Sequence, residues 1–126
     1  MRRHSAYKAF FAAIFSILGF SAHAVPSYTI LDLGTLAGAT SRGNGVNDSG
    51  QVTGGAQAVY DPMTGGYFSH AFVWDKASGM TDLGTITGSW WSGGNAINND
   101  GQVTGQSALS YLFSTHAFVW DSTTGM

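Results

Sequence analysis

The stretch "SHAFVWD", Ser69–Asp75, returns forty-six residues later as "THAFVWD", Thr115–Asp121, with only its first letter changed. Within it His70, Phe72 and Trp74 alternate with Ala71 and Val73, the period-two pattern of a β-strand. Both alternating sets are largely apolar, so the strand is expected to be covered on both faces. A phrase written twice means that the chain builds one supersecondary unit twice.

Two further phrases recur in the same order. "LDLGTL" (31–36) returns as "TDLGTI" (81–86), and "GVNDSGQVTG" (45–54) returns as "AINNDGQVTG" (96–105). The offsets are 50 and 51, against 46 for "HAFVWD". A period of this size marks a solenoid, a propeller or an array. "NDSG" and "NNDG" are tight-turn signals, because Asn, Asp and Gly tolerate left-handed backbone. "DKASGM" and "DSTTGM" read as turns of the same kind, with Gly79 and Gly125 as bulge positions. One unit is then four short antiparallel strands, expected near 43–47, 51–58, 69–75 and 79–86. Unit 1 spans about 31–80 and unit 2 about 81–126.

The first 24 residues read as a signal peptide rather than as part of the fold. Arg2, Arg3 and Lys8 precede an apolar run, Ala9–Phe20, and Ala22 and Ala24 supply the small residues of a cleavage site. The apolar run is shorter than the roughly 20 residues that span a bilayer. Export to the periplasm or the outside of the cell is expected, with no membrane association after cleavage. Beyond Ala24 only Arg42 and Lys76 face seven Asp, a net charge of −5. Nucleic acid is therefore not an expected partner, since it demands a basic surface. There is no cysteine, which excludes disulfides and thiolate metal sites.

The ordered phrases "DLGTL", "INxxGQVxG" and "HAFxW" resemble the HAF repeat of bacterial extracellular proteins. The resemblance covers nearly all of residues 25–126, and three separate phrases match twice. It implies a secreted, propeller-like repeat protein without an established molecular function; some members end in a PEP-CTERM tail, which is not read here. Closed propellers have about four to eight blades, so two units point to an incomplete or two-sheet form. The expected fold is all-β: two four-stranded antiparallel blade-like repeats preceded by a signal-peptide helix. Residues 28–36 carry the same "DLGT" phrase as the fourth strand. They are expected to pair with 116–121, within the chain or from a second copy, and so to complete the second sheet.

Residues that recur once per unit serve the unit. His70 and His116, Trp74 and Trp120, and Asp32 and Asp82 are accordingly read as structural positions, with His70 bonding to a neighbour such as Asp82. Asp75 and Asp121 precede turns and are expected to bind turn amides. The turns lack the terminal Glu of a calcium loop, and no catalytic motif is present; no metal, cofactor or catalytic residue is expected. The residues that do not repeat are the candidates for binding. "SWWSGG" carries Trp90 and Trp91, and the connections before the two His carry Tyr60, Tyr67 and Tyr111. Loop aromatics suit the apolar faces of sugar rings. The expected function is a non-catalytic, exported scaffold or interaction module whose partner is a glycan or another extracellular protein, with self-association through edge strands. A carbohydrate-binding module is the alternative; a glycan-acting enzyme or a fragment of a longer repeat protein stands behind it.

Overall fold

In the computed structural model, which describes residues 25–87, 89–109 and 114–126, the two Asn-led turns set the register of both sheets. The Asn47 amide donates to the Gln51 carbonyl at 3.0 Å, and the Gly50 amide returns to the Asn47 carbonyl at 3.0 Å. Gly50 takes a φ of 76°, which costs a residue without a Cβ little. The Asn47 side chain then accepts from the Ser49 and Gln51 amides at 3.1 and 2.9 Å. Asn98 repeats the arrangement with Asp100 and Gln102 at 3.1 and 2.8 Å, and Gly101 has a φ of 80°.

Around these turns the chain forms β1 (Ser41–Val46), β2 (Val52–Asp61), β3 (Gly66–Asp75) and β4 (Gly79–Gly84), an antiparallel sheet in sequence order. β5 (Ser89–Ile97), β6 (Val103–Leu109) and β7 (Ser114–Trp120) form a second antiparallel sheet. No helix occurs among the described residues. The expected strands are found, but the middle hairpin is longer than its pattern indicated. β2 runs on to Asp61 and β3 starts at Gly66. The Asp61 carboxylate accepts from the Met63 amide at 2.9 Å and the Thr64 hydroxyl at 2.6 Å, fastening a short turn.

One expectation fails within the single chain. The second sheet has three strands, not four, because residues 28–36 are not a strand. Asp32 folds onto its own backbone, its carboxylate accepting from the Gly34 amide at 3.0 Å. Beyond it the Ala37 and Gly38 amides donate to the Gln57 carbonyl at 2.9 and 3.0 Å. These bonds tie the segment to β2, and among the described residues β7 has β6 as its one strand neighbour. After the last turn, residues 121 and 125 make only an isolated bridge. Residues 25–30, which belong to a separate N-terminal unit, are irregular and exposed. The expected signal peptide, 1–24, lies outside the described residues.

The core lies between the sheets. Ala71, Val73 and Leu83 of the first meet Val103 and Phe118 of the second, and Ile86, Ile97, Trp120 and Met126 pack around them. β3 is covered on both sides, as its double apolar pattern requires: Ala71, Phe72 and Val73 are 0%, 1% and 8% exposed. β7 carries the same letters but is covered on one side. Phe118 is buried, whereas Val119 is 59% exposed.

Candidate functional site

The second sheet lies on the first in a repeat-on-repeat register. The Asn44 side-chain amide donates to the Gly94 carbonyl at 2.8 Å, and that of Asn47 to the Asn98 carbonyl at 2.9 Å. The Asp48 amide donates to Asn99 Oδ1 at 3.1 Å, and Asn99 Nδ2 returns to the Asp48 carboxylate at 2.8 Å. Ser92 is fully buried where β4 peels away from β3. Its hydroxyl accepts from the Ala71 amide at 2.8 Å and donates to the Gly84 carbonyl. The sheets come close at Gly94, where a Cβ would lie 2.3 Å from Thr53 Oγ1.

This stacking leaves a groove of about 500 Å³ along the β1–β5 seam. Arg42, Asn44, Ser69, Trp91, Asn95 and Gln106 line it among others. The Trp91 ring lies over Gly93, 3.5 Å from where a Cβ would be. Arg42 is exposed and has no ion pair among the described residues. The groove thus combines an indole, a guanidinium and several amides and hydroxyls, a set that hydrogen-bonds in both directions and stacks.

The sequence-expected aromatics do not converge there. Trp91 lines the groove, but Trp90 and Trp91 belong to strand β5, not to a loop, and both are half-buried. Trp90 meets Phe68 edge-on with ring centroids 4.7 Å apart. Tyr60 and Tyr67 also lie in strands, as cross-strand partners beside the Asp61 turn. Their rings are 5.3 Å apart and T-shaped, and they are 55% and 41% exposed. Tyr111 lies outside the described residues. Arg42, Asn44, Asn95 and Gln106 escaped the sequence reading; the one signal for them is that Asn44 and Asn95 occupy the same position of the repeat.

The repeated polar residues serve the strands. His70 Nδ1 lies 3.0 Å from both Asp82 carboxylate oxygens across the β3–β4 pair. Asp82 also accepts from the Gly84 amide at 2.8 Å, as Asp32 does from Gly34. His116 is exposed and forms no such pair among the described residues. Trp74 and Trp120 are half-buried, and Trp120 packs against the core. Asp75 accepts from the Ala77 and Ser78 amides, and Asp121 from Thr123 and Thr124, at 2.8–2.9 Å. The Ser78 hydroxyl and amide hold the Asp75 carboxyl below its ordinary pKa. The Thr124 amide and hydroxyl do the same for Asp121, and the Thr64 hydroxyl for Asp61. Among the described residues no three metal-ligating side chains cluster, and no helix is long and apolar enough to cross a membrane. Comparison with known protein families, curated proteins and solved structures finds no match.

Proposed function

We propose that the chain is an exported, non-catalytic repeat protein of the HAF type, acting as an extracellular or periplasmic interaction module that presents its seam groove to a carbohydrate. The groove carries this reading. Its lining offers hydrogen-bonding amides and an indole, which hold a hydroxyl-rich ring, rather than the paired acid and base of proton-transfer chemistry. The n-region, apolar run and small residues before Val25 support export, and the twice-written phrases support the family resemblance.

A glycan array probed with the chain tests the reading. A bound glycan is expected, and Trp91→Ala should weaken its binding at least about tenfold, the loss of roughly one stacking contact. Tyr60→Ala, away from the groove lining, should leave binding unchanged. Failure to bind any glycan, or equal loss in both variants, refutes the carbohydrate reading. Export is tested separately: mass spectrometry of the secreted or periplasmic form should find an N-terminus at Val25, and a cytoplasmic protein with Met1 intact would refute it.

A further inference from the structure

We propose that a second copy of this chain docks head to tail on the exposed face of the second sheet, repeating the seam that already joins the first sheet to the second. The face that β3 buries under the second sheet is written again in β7 and left open. Thr53, Ala71 and Val73 are 0%, 0% and 8% exposed. Their repeat equivalents Thr104, Ala117 and Val119 are all exposed. The complementary face is also written twice. Ser92, Gly93 and Gly94 are buried against the first sheet, while Ser41, Arg42 and Gly43 at the same repeat positions are exposed. Ile97 packs into the inter-sheet core, and its equivalent Val46 is 67% exposed. Val46 and Val119 thus occupy the positions of two residues that share one core.

Two hollows mark the same faces. One, of about 280 Å³, is lined by Ile97, Asn98, Gln102, Thr104 and Val119 with Ala96. The other, of about 350 Å³, is lined by Gly43, Asn44, Gly45, Val46 and Val52. Advanced by one repeat, the polar bonds of the seam keep suitable partners. The Asn98 side-chain amide reaches the second copy's Asn47 carbonyl as Asn47 reaches Asn98 at 2.9 Å. The Asn99 amide donates to the second copy's Asp48 as Asp48 donates to Asn99 at 3.1 Å.

The missing fourth strand comes with the docked copy. In the first sheet "TDLG" pairs with β3, with Thr81 opposite Val73 and Asp82 opposite Phe72. The second copy's "LDLG", 31–34, brings Leu31 opposite Val119 and Asp32 within reach of His116, the counterpart of the His70–Asp82 pair. The turn at Gly34 and the Ser41 hydroxyl are already set for this, because Ser41 donates to the Gly34 carbonyl at 2.7 Å as Ser92 does to Gly84. Such a contact joins two different surfaces, so it closes into a ring or continues as a filament according to the rotation per step. It also covers an edge strand that otherwise invites unspecific pairing.

The chain has no native cysteine, which makes a crosslinking test clean. Leu31→Cys and Val119→Cys, at positions 61% and 59% exposed, are made in separate chains, mixed and oxidised. Cross-strand partners lie within disulfide reach, so a mixed dimer of the two variants is expected. Sedimentation of the unmodified chain should give a mass of at least two copies. Val46→Asp and Val119→Asp should each raise the dissociation constant at least about tenfold, with circular dichroism unchanged. A folded chain that sediments as a monomer and yields no mixed crosslink overturns the proposal. A double variant that crosslinks only within one chain overturns it as well, because residues 31–34 would then close on their own β7.

Discussion

Phe72 and Asp75 stand three residues apart and hold the protein in opposite ways. Phe72 is 1% exposed, and the buried Thr53 hydroxyl fastens its carbonyl at 2.7 Å. Phe72→Ala should therefore cost about 3–5 kcal/mol, a large part of the roughly 5–15 kcal/mol that holds a domain together. Tyr60→Ala, which removes one exposed edge-on ring contact, should cost at most about 1.5 kcal/mol. Urea unfolding of both variants checks the contrast, and equal midpoint losses would contradict it. Asp75 acts by charge. Turn amides and a hydroxyl stabilise its ionised form, and Asp121 and Asp61 are held low in the same manner. A carboxyl whose pKa falls on folding contributes stability above its unfolded pKa, near 3.8, and loses it as pH drops through the lower folded value. The melting temperature should thus fall between pH 5 and pH 2. Asp75→Asn keeps an acceptor but no charge, so it should flatten that fall; an unchanged slope would show that the turn carboxylate does not couple to folding.

The turns carry the link between sheets at the scale of elements. The Asn47 side chain binds its own turn and also reaches the Asn98 carbonyl, whereas among the described residues the Asn98 side chain bonds only within its own turn. Asn47→Ala should cost about 1–3 kcal/mol and speed amide exchange in both turns, at Gly50 and at Gly101. Asn98→Ala should speed it at Gly101 alone; identical exchange patterns in the two variants would show that the turns do not support each other. Sequence alone exposed these turns because Asn-Asp-Ser-Gly and Asn-Asn-Asp-Gly act over four neighbouring residues. "HAFVWD" was equally legible, since alternation with two apolar sets is a local pattern. The fate of "LDLGTL" was not. Its letters match those of β4, but a strand exists only where a partner edge lies alongside, and the Gln57 carbonyl takes the amides that follow it. The groove was half legible for the same reason. Trp91 stood out by failing to repeat, while Arg42 and Asn44 meet it only through a contact between segments about fifty residues apart.

At the scale of the whole molecule, one interface written twice has two outcomes for the same substitution. Gly94 lies inside the seam, where an added Cβ would fall 2.3 Å from Thr53 Oγ1, 3.2 Å from Val103 and 3.3 Å from the Gly54 carbonyl. Thr53 is fully buried and bonded to the Phe72 carbonyl, so it has no room to turn aside. Gly94→Ala should push the sheets apart and destabilise the fold by about 1–3 kcal/mol, the usual cost of overpacking. Gly43 holds the same repeat position on the exposed face. A Cβ there would meet only Val52 Cγ1, at 3.2 Å, a contact that a small side-chain adjustment relieves. Gly43→Ala should accordingly leave the melting temperature within a few degrees of the parent. If the exposed faces join as the buried ones do, that Cβ would press on the second copy's Thr104, the counterpart of Thr53, and the variant should sediment as a smaller species. Thermal melts and sedimentation of the two variants separate the effects. A Gly43→Ala chain that melts early, like Gly94→Ala, would mean that β1 is held within its own sheet more tightly than its exposure indicates. One that is stable and still associates would mean that the copies meet through another surface.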